Sequence, residues 1–120
     1  MYNKVFLIGR LVRDPEIRVT VSGITVARFT IAIDRIRRKG QEETPTDFLN
    51  VVAWRRLGEI AGEYLKKGKL VSVEGALRKD AYEKNGEQRE WYEITADTFQ
   101  MLDRANDIAT KSEEFSAVGG

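Results

Sequence analysis

The stretch that most constrains the fold runs from Asp47 to Gly75 and has the pattern of a strand, a helix and a second strand. Successive side chains of a strand point to opposite faces, so the strand from Phe48 to Trp54 divides into two sets. One set is aliphatic and suits a core: Leu49, Val51 and Ala53. The other set has a large ring at each end: Phe48, Asn50, Val52 and Trp54. This pattern predicts a core face on one side and an aromatic platform on the other.

A short helix is predicted directly after this strand. Its apolar residues repeat at the i, i+3, i+4, i+7 and i+8 spacing of one helical face: Leu57, Ile60, Ala61, Tyr64 and Leu65. Lys66 and Lys67 are expected in the last turn, where cations suit the helix dipole. Gly68 is expected to end the helix in a left-handed conformation, and Leu70 then begins another strand.

The residue types that the chain lacks exclude several functions. It has no cysteine and no histidine, so disulfides, thiolate zinc sites and histidine-based catalytic triads are excluded. Scattered carboxylates such as Asp14, Glu16 and Asp34 are expected to cap turns rather than to perform acid–base chemistry. We therefore expect no catalytic residue, no metal and no cofactor. No apolar run has the length of a membrane span and the first residues do not resemble a signal peptide, so a cytoplasmic, nucleoid-associated protein without a membrane partner is expected.

Charge is distributed unevenly along the chain. Residues 1–78 carry fifteen Lys and Arg against nine Asp and Glu, whereas residues 79–120 carry five against ten. The basic part includes a dense run within residues 35–39: Arg35, Arg37, Arg38 and Lys39. This run is read as a basic finger for a phosphate backbone, because it adjoins the aromatic platform. A solvated loop that only maintains solubility is the alternative.

The remaining pattern completes an all-β fold with one helix. Further strands are predicted at residues 5–11, 26–33, 70–82 and 90–102, with a tight hairpin turn at Asn85-Gly86. Gly9, inside the first strand, indicates a bend or a close backbone approach. Five strands with one helix between strands 3 and 4 are typical of the OB fold, a five-stranded Greek-key barrel. Residues 1–104 are expected to form this domain, and residues 105–120 a flexible C-terminal tail.

Seven short segments are recognisable in combination: Asn3-Lys4-Val5, Gly9-Arg10-Leu11, Asp14-Pro15-Glu16-Ile17-Arg18, Phe48 to Trp54, Glu63-Tyr64-Leu65-Lys66-Lys67-Gly68, Val73-Glu74-Gly75 and Ala76-Leu77-Arg78. Over roughly residues 2–102 the chain resembles bacterial single-stranded DNA-binding proteins. The resemblance implies an OB-fold homo-oligomer, usually a tetramer, that coats single-stranded DNA during replication, recombination and repair. It also implies that the protein is not an enzyme. The opening strand, apolar on both faces, is the expected contact between subunits.

The resemblance also implies which residues touch the nucleic acid. The stacking aromatics of the family fall on Phe48, Trp54 and Tyr82, and its basic contacts fall on Arg56, Lys67 and Arg78. A further family aromatic would fall near Ile36 or Arg37 and is absent, and two basic positions fall on Asp80 and Ala81. With the basic run, the predicted contacts are Phe48, Trp54, Tyr82, Arg56, Lys67, Arg78, Arg35, Arg37, Arg38 and Lys39. Trp91 could stack on nucleic acid or cover the helix, and packing is favoured.

Two other functions stay open at this point. An OB-fold module for RNA, or for a primosome or replication-restart complex, would use the same stacking surface, because stacking does not distinguish ribose from deoxyribose. A protein-interaction barrel would use its aromatics as a partner interface. The family usually ends in an acidic run closed by Pro-Phe, which recruits genome-maintenance proteins. This chain ends at Gly120 without Pro-Phe, so the sequence leaves the recruitment of such partners open, and it fits a truncated chain as well as a short-tailed relative.

Overall fold

Six strands and one helix make up the part of the chain that the computed structural model describes, residues 1–36, 39–40 and 44–103. The elements are β1 (Val5–Leu11), β2 (Glu16–Val19), β3 (Thr25–Asp34), β4 (Thr46–Trp54), α1 (Arg56–Tyr64), β5 (Leu70–Lys84) and β6 (Glu87–Met101). The predicted tail, residues 105–120, lies outside the described residues, as do Arg37 and Arg38.

Five of these strands close into a barrel in the order β1-β5-β6-β4-β3, and β1 pairs again with β3 to complete it. The closing pairs are Arg10 with Ala32 and Leu11 with Ile31. Neighbours are antiparallel except β4 and β6, which run parallel where Val51 meets Ile94. The helix lies between the third and fourth strands of the barrel, so the predicted OB fold is confirmed.

The sequence reading missed β2. Its four residues are all exposed, and they pair only with β3, from Glu16 opposite Arg28 to Val19 opposite Thr25. β1 and β2 follow the same edge of β3, so they form one strand interrupted at residues 12–15. That interruption turns Arg13 and Asp14 toward the outer face of the barrel, where they border a cleft.

The barrel interior follows the predicted alternation. Leu49, Val51 and Ala53 of β4 face the core, as do Ala27, Phe29 and Ile31 of β3. Phe29 meets Phe99 edge-on, with ring centroids 6.4 Å apart. The predicted helical stripe also packs here: Ile60, Ala61 and Leu65 are buried, and Leu57 and Tyr64 lie against them half-buried.

The helix ends earlier than predicted. Tyr64 is its last residue, and Leu65 is already extended, with φ −83° and ψ 138°. Lys66 and Lys67 therefore lie beyond the last turn, and the prediction that they interact with the helix dipole there is wrong. Gly68 does adopt a positive φ of 89°, in the turn that leads to β5, where its N–H donates to the carbonyl of Leu11 at 2.8 Å.

The β5–β6 hairpin has a barrel half and a protruding half. The predicted turn is confirmed, with Asn85 and Gly86 at φ 53° and 80°, the values that a two-residue hairpin requires. Every residue from Leu77 to Tyr92 is exposed, and we call residues 77–92 the arm. Gly75 lies at a register shift below the arm, where an added Cβ would collide with the carbonyl of Thr95. The hairpin can therefore bend there only because residue 75 is glycine.

Candidate nucleic-acid interface

The outer face of β4 presents the two predicted platform rings to solvent. Phe48 is 64% exposed and Trp54 is 42% exposed, whereas the alternating residues Val51 and Ala53 are buried. Six residues of strand separate the two rings by about 20 Å. Both are thus available for stacking, but they are too far apart to act on one base.

The platform is not continuous between these rings. Val52 shares their face, yet it is only 1% exposed and lies outside the main core cluster. Its neighbours explain this burial: Val52 pairs with Arg28 of β3 on one side and with Thr95 of β6 on the other. Arg28 Nε lies 3.5 Å from Glu93 Oε2, so this ion pair crosses β4 beside Val52. The prediction that Val52 forms part of an open outer face is wrong.

A cleft of about 400 Å³ lies between the arm and the outer face of the barrel. Tyr82 and Trp91 form its aromatic wall, with ring centroids 5.2 Å apart and planes inclined at 55°. Thr30 and Asn50 contribute polar groups from β3 and β4, and Thr30 Oγ1 donates to Asn50 Oδ1 at 2.9 Å. The predicted site residue Tyr82 therefore lies in a defined cavity.

Trp91 lines the same cleft and is 37% exposed, so its ring has surface available for stacking as well as a packing contact with Tyr82. A sequence signal could have identified it. Counting outward from the Asn85-Gly86 turn pairs Tyr82 with Arg89 and Asp80 with Trp91, which places Tyr82 and Trp91 on one face of the hairpin. The cleft also contains Arg13, Arg28 and Glu93, whose approach depends on tertiary pairings that local sequence does not show.

The three basic residues that the family resemblance assigns to phosphate contacts, Arg56, Lys67 and Arg78, differ in their surroundings. Arg56 Nη1 lies 3.4 Å from Glu59 Oε2, so a phosphate would compete with that carboxylate. Lys67 is exposed, and its backbone N–H donates to Asp14 Oδ1 at 2.9 Å, which fixes its backbone beside the interruption of the first strand. Arg78 is exposed and pairs in register with Glu93 at the base of the arm.

Arg35 is held by Asp47 at the base of the β3–β4 connection. Its Nε and Nη2 donate to the carboxylate at 3.1 and 2.9 Å. These hydrogen bonds, more than the attraction between the charges, raise the pKa of Arg35. The same hydrogen bonds lower the pKa of Asp47, although its partial loss of hydration opposes them. Of the rest of the basic run, Lys39 is exposed, and Arg37 and Arg38 lie outside the described residues.

Arg55, which sequence reasoning did not select, lies next to Trp54 in an unusual conformation. Its φ of 60° and ψ of −128° belong to a region that favours glycine. Its backbone N–H donates to Thr25 O at 2.7 Å, and its carbonyl accepts from Glu59 N at 3.0 Å. The side chain is exposed. Two consecutive exposed arginines, Arg55 and Arg56, thus follow Trp54 directly in the chain at the start of the helix.

Residues 1–36, 39–40 and 44–103 contain no group of three or more acidic, histidine or cysteine side chains that could hold a metal ion. Within the same ranges, no helix is long and apolar enough to cross a membrane.

Known proteins share both this sequence and this architecture. A protein from Thermotoga maritima named single-stranded DNA-binding protein is 46% identical over 118 residues, which cover 94% of this chain and 84% of that protein. One of the same name from Staphylococcus aureus (strain MRSA252) is 40% identical over 114 residues, covering 94% and 73%. The solved structure of a Plasmodium falciparum SSB complex with ssDNA has a TM-score of 0.79 at 28% identity, covering 86% of this chain and 96% of that one. The barrel thus coincides with a sequence match over residues 2–102, and the chain belongs to the Single-strand binding protein family.

Proposed function

We propose that this protein binds single-stranded DNA without sequence specificity and protects it during replication, recombination and repair. The observation that carries the proposal is the exposure of large rings on one side of a well-packed barrel. Phe48, Trp54, Tyr82 and Trp91 all present ring surface to solvent, and stacking on a base contributes about 1–3 kcal/mol per ring. The relatives' names and the ssDNA in the solved complex support the same ligand.

Basic groups around the rings suit the phosphate backbone. Arg55, Arg56, Lys67, Arg78 and Lys39 are exposed, and each phosphate that they neutralise releases counterions. The surface as a whole therefore combines base stacking with charge neutralisation, the two elements of single-strand recognition. We propose no catalytic step for this surface, and a cytoplasmic, nucleoid-associated location follows from the ligand.

We further propose that residues 1–104 act as the DNA-binding domain of a homo-oligomer, most simply a tetramer, and that residues 105–120 form its tail. The free edge of β1 supports assembly. In the described chain, Val5 to Gly9 pair on one side only, with β5. Phe6 and Ile8 on the same strand are 63% and 47% exposed, so a second copy could cover both apolar side chains and unpaired backbone. Sedimentation equilibrium at micromolar concentration tests this, and a monomer alone would refute it.

Titration tests the ligand. Tryptophan fluorescence of the protein is followed as oligo(dT), oligo(rU) or duplex DNA of equal length is added at several salt concentrations. We expect quenching and tight binding with oligo(dT), weak binding with duplex, and a log affinity that falls by roughly 0.7 per neutralised phosphate for each unit of log salt. Equal affinity for duplex would contradict the proposal, and tighter binding of oligo(rU) would favour an RNA ligand.

Two sets of variants test which residues contact the bases and which contact the phosphates. Phe48→Ala and Trp54→Ala should each weaken oligo(dT) binding by about 1–3 kcal/mol, with Val51→Ala as the control on the opposite face of the same strand. Joint replacement of Arg37, Arg38 and Lys39 by alanine should make the salt dependence shallower. An unchanged slope would mean that the basic run only keeps the loop soluble.

A further inference from the structure

We propose that Asp14 is a positioning residue for DNA binding, which holds the backbone of Lys67 at the rim of the cleft so that the Lys67 ammonium group meets a phosphate. Asp14 acts through Lys67 and does not itself contact the strand. The inference rests on the proposed function, because it concerns how one cation of the DNA-binding surface is held. It gives a carboxylate a favourable part in binding a polyanion, although its charge alone opposes that ligand.

Lys67 lies in a tight turn at residues 66–69, which we call the lysine turn. The N–H of Lys69 donates to the carbonyl of Lys66 at 3.1 Å, and Gly68 has the positive φ of 89° that a type II turn favours at its third residue. Such a turn leaves the N–H of its second residue, Lys67, without a partner inside the turn. Asp14 Oδ1 accepts from that N–H at 2.9 Å, so a side chain 53 residues away in the sequence completes the turn.

The Asp14 acceptor is itself fixed to the barrel. Pro15 follows Asp14 and restricts it to an extended backbone conformation. Two residues before Asp14, the N–H of Val12 donates to the carbonyl of Thr30 in β3 at 3.0 Å, which ties the interruption at residues 12–15 to the barrel. Because Asp14 also borders the cleft, its hydrogen bond holds the lysine turn at the rim of the cleft.

The ammonium group of Lys67 is available to a phosphate. Lys69 Nζ in the same turn lies 3.5 Å from Asp103 Oδ2, whereas Lys67 is exposed and pairs with no carboxylate among the residues that the structure describes. A base that stacks in the cleft on Tyr82 or Trp91 leaves its sugar–phosphate chain outside, toward the rim. A lysine whose backbone is already fixed there loses less conformational entropy when it binds that chain.

Two substitutions of Asp14 separate positioning from charge. Asp14→Asn removes the charge but keeps an oxygen that can accept from the Lys67 N–H, so it should bind short oligo(dT) at least as tightly as the wild type. Asp14→Ala removes both and should bind more weakly, by up to about fivefold at about 0.1 M salt, the counterion-release effect of one phosphate contact on a single strand. Glu63→Ala is the matched control, because it removes an exposed carboxylate four residues before Lys67. It should bind no more weakly than the wild type.

Lys67→Ala tests whether Asp14 acts through the ammonium group. This variant loses the cation but keeps the backbone N–H, and therefore the hydrogen bond to Asp14. It should weaken binding by about fivefold at about 0.1 M salt. Asp14→Ala added to it should cause no further loss, because the hydrogen bond then positions no group that a phosphate binds. A purely structural hydrogen bond would instead weaken binding equally with and without the lysine side chain.

Amide hydrogen exchange follows the hydrogen bond itself. The N–H of Lys67 should be protected in the wild type and in Asp14→Asn, and it should exchange faster in Asp14→Ala. Because Asp14 is exposed, both variants should remain folded, which urea denaturation checks.

Each outcome bears on Asp14 or on the proposed function. Asp14→Ala that binds as tightly as Asp14→Asn, or whose loss persists when Lys67 is also alanine, would overturn the role of Asp14 while the proposed function stands. An unprotected Lys67 amide in the wild type, or full affinity in Lys67→Ala, would likewise overturn it. Failure of the wild-type protein to bind oligo(dT) would overturn the proposed function, and this inference with it.

Discussion

An aromatic pair in the barrel, Phe29 and Phe99, and an aromatic pair in the arm, Tyr82 and Trp91, differ in their exposure to solvent. Phe29 and Phe99 meet edge-on inside the barrel, where they are 3% and 2% exposed. Tyr82 and Trp91 lie closer together, yet they are 44% and 37% exposed. The first pair is fully removed from water, and the second retains ring surface for a ligand. Burial, rather than the number of rings, therefore separates the structural aromatics from the binding ones.

The position of each pair along the β5–β6 hairpin explains the difference. Phe99 lies on the barrel half of β6, where the strand has neighbours on both sides and a core beneath it. Trp91 lies on the arm, beyond the last buried residue, Ile94. One hairpin thus contributes Phe99 to the core and both Tyr82 and Trp91 to the cleft. The register shift at Gly75 lies near the boundary between its buried and exposed halves.

Phe29→Ala should have the largest effect of any substitution considered. It removes a buried ring and leaves a cavity beside Phe99, which should lower the free energy of unfolding by about 3–5 kcal/mol. Urea denaturation measures that loss. Oligo(dT) affinity, measured where the variant is still folded, should remain near that of the wild type. A variant as stable as the wild type would show that the Phe29–Phe99 pair does not hold the barrel together.

Trp91→Ala should have the opposite effect to Phe29→Ala, a loss of affinity for oligo(dT) with little loss of stability. Its unfolding free energy should change by about 0.5 kcal/mol or less, as for other surface substitutions, while oligo(dT) binding weakens by about 1–3 kcal/mol. Tyr82→Ala should behave alike, and because the two rings touch, the double variant should lose less affinity than the sum of the single losses. If Trp91→Ala instead unfolds as readily as Phe29→Ala, the distinction between the two pairs fails.

Local periodicity was enough to predict the barrel and one face of the interface. The alternation along β4 placed Leu49 and Val51 inside and Phe48 and Trp54 outside, as observed. The Asn85-Gly86 turn fixed the hairpin register. Both features, the β4 alternation and the hairpin register, depend on residues close together in the sequence. They can therefore be predicted from the sequence without knowledge of the tertiary structure.

The sequence-based predictions were wrong where contacts between residues distant in the sequence determine the local structure. Val52 follows the outer alternation, but it is buried because β6 pairs beside it some forty residues later. β2 has no buried residue, so its sequence carries no alternation to detect. The helix ends at Tyr64 although Leu65 continues the apolar stripe, because Leu65 reaches the same core from an extended conformation.

Arg55→Gly tests whether the unusual backbone conformation of residue 55, next to the binding face, lowers the free energy of unfolding. A non-glycine residue at φ 60° and ψ −128° carries about 1–3 kcal/mol of strain, and glycine adds back about 0.5–1 kcal/mol of unfolded-chain entropy. The variant should therefore be more stable by about 1 kcal/mol, yet it should bind oligo(dT) more weakly and with a shallower salt dependence, because a cation next to Trp54 in the chain is lost.

Arg55→Ala is the control for this substitution. It removes the same cation but keeps a Cβ, so the salt dependence should change as in Arg55→Gly without the gain in stability. Urea midpoints and salt titrations on the two variants separate the backbone effect from the charge effect. A loss of stability in Arg55→Gly would show that the backbone at this position is not strained.

The smallest effect concerns the Arg35–Asp47 pair, which extends the comparison from rings to charges. Hydrogen bonds from Arg35 lower the pKa of Asp47 in the folded protein, so the pair stabilises the fold fully above the unfolded pKa of about 4. That stabilisation is lost as the pH falls through the lower, folded pKa. Because both side chains are largely solvated, the effect should be small.

Carboxyl NMR titration of Asp47 measures the shift directly. Arg35→Gln should raise the titration midpoint of Asp47 toward its ordinary value, whereas Arg56→Gln, which frees a different carboxylate, should leave it unchanged. The urea midpoint of the wild type should exceed that of Asp47→Asn at pH 6, and the difference should shrink as the pH falls through the lowered pKa of Asp47. If single-stranded DNA also raises the Asp47 midpoint in the wild type, Arg35 leaves the carboxylate for a phosphate and belongs to the binding face. If DNA leaves the midpoint unchanged, Arg35 belongs with the buried rings as part of the framework, although it lies at the surface.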